Sequence, residues 1–203
     1  MSKNTYLVLA MLCLFAAGLT FYYGSTASNK TIAKSTLSEA STTQYVANDV
    51  GVTFDYLLGE GGYILAQPTV EYVPSLEKLV VLSKENEDLL ANAAAAPLDT
   101  PPTITLTVYK NTKLEQPSIW VNNHKMYSNI ELKTSAPAPL IISGADAIRY
   151  TTDGLFRTDN VVIAHAGYIY VFSGSYLTED SAIHKDFLAL LGTIEFVPTK
   201  EQI

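Results

Sequence analysis

Residues 161–172 read VVIAHAGYIYVF, and this stretch decides the fold. Two β-branched and aromatic runs flank Ala166-Gly167, the pattern of a hairpin with a two-residue turn. Such a turn sets His165 opposite Tyr168, Ile163 opposite Tyr170 and Val161 opposite Phe172. Those six residues share one face of the ribbon. Val162, Ala164, Ile169 and Val171 share the other. Both faces are largely apolar, so the hairpin belongs in the middle of a sheet covered on both sides.

Strand signals continue on either side. Val52–Leu57 is apolar and alternating, and Gly59–Gly62 reads as a hairpin turn into Tyr63–Ala66. Leu79–Leu82 is a short buried-type run. Thr103–Tyr109 places Ile104, Leu106 and Val108 on one face. Leu140–Ile142 and Ala147–Thr151 flank a turn at Ser143-Gly144, and a last short strand covers Thr193–Val197.

Helices are fewer. Ser181 is placed to cap a helix from Ala182, with Ile183, Phe187, Leu190 and Leu191 on one stripe and Gly192 as its stop. A second starts near Pro117, with Ile119, Trp120, Asn123, Met126 and Tyr127 on its inner face. A third spans Glu85–Ala96 and ends at Pro97. The order predicts an α+β domain: a mainly antiparallel sheet flanked by helices.

The run from Ile142 to Tyr150, then Gly154–Phe156, the 161–172 hairpin, and the Ile183–Leu191 helix leading into Ile194–Phe196 resemble PsbP-like domains. The resemblance spans about residues 50–197 and is closest to exported or membrane-anchored bacterial members. It implies an α/β/α sandwich and a non-catalytic accessory role. Photosynthetic members of that family are linked to metal retention, but none of their ligands matches a residue here, so the resemblance implies no metal and no cofactor.

Ahead of the domain, Tyr6–Tyr23 is 18 residues without a charge, about 27 Å long as a helix. Tyr6 stands at one end and Phe21, Tyr22 and Tyr23 at the other, as in an interfacial belt. Residues 1–24 therefore read as a membrane anchor or signal peptide. Ser25-Thr26-Ala27 offers a cleavage site before Ser28. Residues 25–44 read as a flexible linker rich in Ser and Thr, and 45–203 as the domain. The expected location is the cell membrane, single-pass, with the C-terminal domain outside the cytoplasm, or secreted if cleavage occurs.

From residue 45 onward there are 19 acidic and 10 basic residues, a balance of −9. That argues against a nucleic-acid partner, which needs clustered Lys and Arg. The lone cysteine, Cys13, lies in the apolar segment, so the domain has neither a disulfide nor a thiol nucleophile. His124, His165 and His184 stand in separate elements without ligand spacing, and His184 reads as solvated. Asp153 and Asp159 read as solvated loop acids, one of them pairing with Arg157.

The 13 tyrosines both populate strands and suit recognition surfaces. The leading expectation is thus a tethered extracytoplasmic binding or accessory domain for an envelope protein or small ligand. Its groove would lie between sheet and helix, near Trp120 or near His165, Tyr168 and Tyr170. The alternatives are a hydrolase or metal-dependent enzyme using His165 with loop acids, and a purely structural envelope protein.

Overall fold

A computed structural model describes residues 41–69, 73, 75–84 and 101–199. The anchor at 1–24, the linker up to residue 40 and the helix expected at Glu85–Ala96 lie outside the described residues. Among the described residues no helix is long and apolar enough to cross a membrane.

Seven strands form one antiparallel sheet: β3 (Tyr63–Ala66), β4 (Leu76–Lys84), β5 (Thr103–Lys110), β6 (Ala138–Ile142), β7 (Ala145–Asp153), β8 (Arg157–His165) and β9 (Tyr168–Tyr176), in the order β3-β4-β5-β9-β8-β7-β6. A second sheet of three strands joins β1 (Ser41–Ala47), β2 (Val52–Leu58) and β10 (Glu195–Phe196), in the order β1-β2-β10. The helices are α1 (Pro117–Asn123), α2 (Lys125–Ser128) and α3 (Ala182–Leu191).

The β8–β9 hairpin is central, as its sequence requires. His165 pairs with Tyr168, Ile163 with Tyr170 and Val161 with Phe172. Ala166 and Gly167 take φ of 47° and 80°, the left-handed geometry of a two-residue hairpin turn. Its two faces seed two cores. Val161, Ile163, Tyr170 and Phe172 pack with Ile104, Leu106 and Val108 of β5, the three-stranded sheet and the apolar stripe of α3. Val162, Ile169 and Val171 pack with Tyr109, Ile148, Tyr150 and the Trp120 and Val121 side chains of α1.

Helix α3 keeps its expected stripe, with Ile183, Phe187, Leu190 and Leu191 buried. It comes close to the sheet because β9 has Gly174 beneath it: a Cβ there would stand 2.4 Å from the Phe187 ring. Ser181 occupies the N-cap position, but its hydroxyl makes no capping bond.

Three expectations change in detail. Gly59–Gly62 does form a turn, closed by the Gly62 N–H on the Gly59 carbonyl at 2.8 Å. It does not make a hairpin, however, because β2 and β3 belong to different sheets. β1 begins at Ser41, inside the stretch read as linker; Thr42 and Thr43 pair with Leu57 and Tyr56. The helix from Pro117 breaks at His124, whose φ of −118° and ψ of 49° reset the phase. Pro117, Trp120 and Val121 therefore face inward, whereas Ile119 and Met126 stand exposed.

Candidate functional site

The residues picked out from sequence do not share one surface. His165, Tyr168 and Tyr170 project from the face that carries the second sheet. The His165 ring stacks on Phe196 at 4.2 Å, and burial pulls its pKa below the ordinary value. Tyr170 is fully buried; its hydroxyl donates to the Val50 carbonyl at 2.6 Å and so ties the two sheets together. Burial, with Tyr168 nearby, pushes the Tyr170 phenol well above its usual range.

Trp120 lies on the opposite face, 3% exposed and tilted against Tyr109 at 5.2 Å. His165 makes no hydrogen bond or ion pair with Asp153, Asp159 or any other acid among the described residues. Asp159 sits six residues back along the same strand, about 20 Å away at ~3.3 Å per residue. Histidine and carboxylate do not meet there.

They meet elsewhere. Asp159, on β8, is 2% exposed and His184, in the first turn of α3, is 6% exposed, so neither is solvated. Asp159 Oδ2 accepts from the Arg149 guanidinium on β7 and lies 3.2 Å from His184 Nε2. Its Oδ1 accepts from the Thr151 hydroxyl at 2.8 Å. Burial alone would raise the Asp159 pKa; the bonds from Arg149, Thr151 and His184, with the charge on Arg149, outweigh it and hold the carboxyl below the usual range.

His184 Nδ1 donates to the Glu179 carbonyl at 2.9 Å, and the Tyr176 ring stacks on the imidazole at 4.0 Å. A carbonyl only accepts, so Nδ1 carries a proton. Outside this layer Arg157 pairs with Glu179 at 2.9 Å, not with Asp153 or Asp159.

Pairwise antiparallel register builds this knot. Arg149 and Thr151, Arg157 and Asp159, and Tyr176 alternate onto the face that α3 covers. Sequence alone left Asp159 at a loop edge and His184 on a helix surface, 25 residues apart. The signal that joins them is parity: Asp159 shares the strand phase of Val161 and Ile163, both facing the core under α3.

An open cleft of about 320 Å³ lies on the other face, between the first turn of α1 and the β6–β7 hairpin. Gln116, Pro117 and Ser118 form one wall; Pro139, Leu140, Ile141, Asp146, Ala147 and Ile148 form the rest. This is a groove between sheet and covering helix, although Trp120 is packed beneath the helix and does not line it. None of the Asp159 knot lines it either. Among the described residues no three His, Cys, Asp or Glu side chains are grouped to hold a metal ion.

The solution structure of cyanobacterial PsbP (CyanoP) from Synechocystis sp. PCC 6803 superimposes on this chain with a TM-score of 0.50. The alignment covers 85% of this chain and 99% of that one at 12% identity, and it shows a PsbP-like α+β fold. No model of a known protein family matches the chain, and no curated protein sequence does.

Proposed function

We propose that the domain is a non-catalytic binding or accessory module, held outside the cytoplasm by a membrane segment at Tyr6–Tyr23. One observation carries the non-catalytic part. The buried acid and histidine that meet, Asp159 and His184, spend their bonding capacity on Arg149, Thr151, each other and a backbone carbonyl. A general base must instead face a reacting group within hydrogen-bond reach. The open cleft, by contrast, sets the apolar side chains of Pro117, Pro139, Ile141 and Ile148 beside Gln116, Ser118 and Asp146, the mixed composition of a binding surface. The PsbP-like fold and the 18-residue uncharged segment support the accessory role and the location.

Affinity capture on the full chain in detergent, from envelope of the source cell, tests this reading alongside turnover assays on ester, phosphate and glycosidic substrates. A reproducible, saturable partner and no turnover are expected. Turnover abolished by His184→Gln would overturn the non-catalytic assignment. Mass spectrometry of the mature N-terminus tells a retained anchor from cleavage before Ser28.

A further inference from the structure

β6 is the last strand of the seven-stranded sheet, so one of its edges is free of strand partners among the described residues. Its hydrogen-bonding phase follows from the turn. Ser143 and Gly144 take φ of 48° and 80°, a two-residue turn that makes Ile142 and Ala145 a hydrogen-bonded pair. Pairs alternate along the ladder, so Leu140 and Ala138 also bond to β7. Ile141 and Pro139 then point their backbone groups outward. Pro139, which has no N–H, stands where it costs the ladder nothing. The outward groups are the Ile141 N–H, the Ile141 carbonyl and the Pro139 carbonyl.

Beside that edge lies the cleft. Ile141 is 63% exposed at its rim, with the Pro117, Pro139 and Ile148 side chains around it; Ala147 contributes backbone only, its side chain being buried in the other core. Its volume sits at the low end of the about 300–1,000 Å³ of ligand clefts. Asp146, paired opposite Ile141, is the one charged residue lining it and makes no ion pair among the described residues.

We propose that the β6 edge and this cleft form a docking groove for a short extended peptide of a partner protein, with an aliphatic side chain and, two residues along and so on the same face, a lysine or arginine. The proposal rests on the binding-module reading above and names the chemistry of its partner. Three outward backbone groups match one short added strand. The apolar walls take the aliphatic side chain. Asp146, on a domain with a balance of −9, selects the basic residue. A second copy of this chain fits poorly: two-fold pairing about Ile141 would set Pro139, lacking its donor, opposite Ser143 of the twin, whose left-handed backbone ends the strand.

The test uses the isotope-labelled full chain and three probes: acetyl-Thr-Val-Thr-Lys-Thr-Val-amide (the Lys-Val peptide, with Val and Lys on one face), its backbone N-methylated form, and its counterpart with Glu in place of Lys (the Glu-Val peptide). The Ile141 amide should exchange freely in the unbound chain and become protected with the Lys-Val peptide. The N-methylated peptide should not bind. Ile141→Pro removes an outward N–H that the β7 ladder does not use and trims the apolar rim, and should weaken binding about tenfold; Ile141→Ala, which trims the rim but keeps the N–H, should weaken it less. Asp146→Lys should reverse the preference toward the Glu-Val peptide. An Ile141 amide already protected without peptide, no binding of the Lys-Val peptide, or undiminished binding to Ile141→Pro overturns the proposal. A captured partner that ignores Ile141→Pro would sink this groove and leave the binding-module reading standing.

Discussion

Asp159 carries more of the interior's polar bonding than any neighbour in its layer, and its removal has a definite sign. Its carboxyl titrates below the ordinary value, so the folded state binds its proton less readily than the unfolded chain. The stabilisation is therefore complete above the unfolded value of about 3.9 and is lost as pH falls through the lower folded one. Asp159→Asn should cost about 2–3 kcal/mol at neutral pH, below the ~3–5 of a fully buried pair because the Arg149 side chain is 42% exposed and can turn to water. It should also flatten the acid limb of the stability curve; urea titrations at pH 3 to 7 measure both, and an unchanged acid limb would rule out Asp159 as its source. His165 works in the same direction at milder acidity, since burial depresses its pKa and protonation favours the unfolded chain. Gly174 offers a steric counterpart. Gly174→Ala drives a methyl into the Phe187 ring and should destabilise by about 1–3 kcal/mol. Strand parity with Val161 and Ile163 marks Asp159 as core-facing, but its partners and the Gly174 contact do not show in local sequence, because each is made by residues distant along the chain that only register and helix docking bring together.

At the scale of elements, turn chemistry was legible and helix continuity was not. Ala166-Gly167 forms its two-residue turn with Ala166 at φ of 47°, a region that disfavours a Cβ. Asn is the favoured residue there, so Ala166→Asn should stabilise the hairpin by about 0.5–1 kcal/mol, read as a raised urea midpoint with an unchanged slope. A lower midpoint would mean the turn is held by something other than its own backbone preference. The α1 break had no such local mark. Ile119, Asn123 and Met126 keep a helical period that predicts one long helix. The Glu115 carboxylate nevertheless accepts from Asn123 at 2.9 Å and meets His124 Nε2 at 3.2 Å, closing the helix C-terminus onto the preceding loop. The Gly59–Gly62 turn misled in the same way: a turn's hydrogen bond fixes a reversal but not which layer the next strand joins.

For the whole molecule, the central fact is that β8 and β9 are shared property. Alternation along 161–172 foretold two apolar faces, and each became one wall of a separate core. The second sheet was less legible: β10 has two residues, too few for a period, and its pairing with β2 spans most of the domain. Because both cores include residues of the same strands, neither covering layer has an independent foundation. Trp120, the one tryptophan, reports on the α1 side, while far-UV circular dichroism reports on all the strands. The two signals should therefore be lost in a single coincident urea transition. Tyr170→Phe strikes the opposite side: it leaves the buried Val50 carbonyl without its donor and should cost about 1–3 kcal/mol. If the faces are coupled through β8 and β9, this change lowers the Trp120 midpoint by as much as the dichroism midpoint, although Tyr170 and Trp120 lie on opposite sides of the sheet. A Trp120 transition that stays put while the dichroism shifts would mean instead that the α1 layer unfolds as a separate unit.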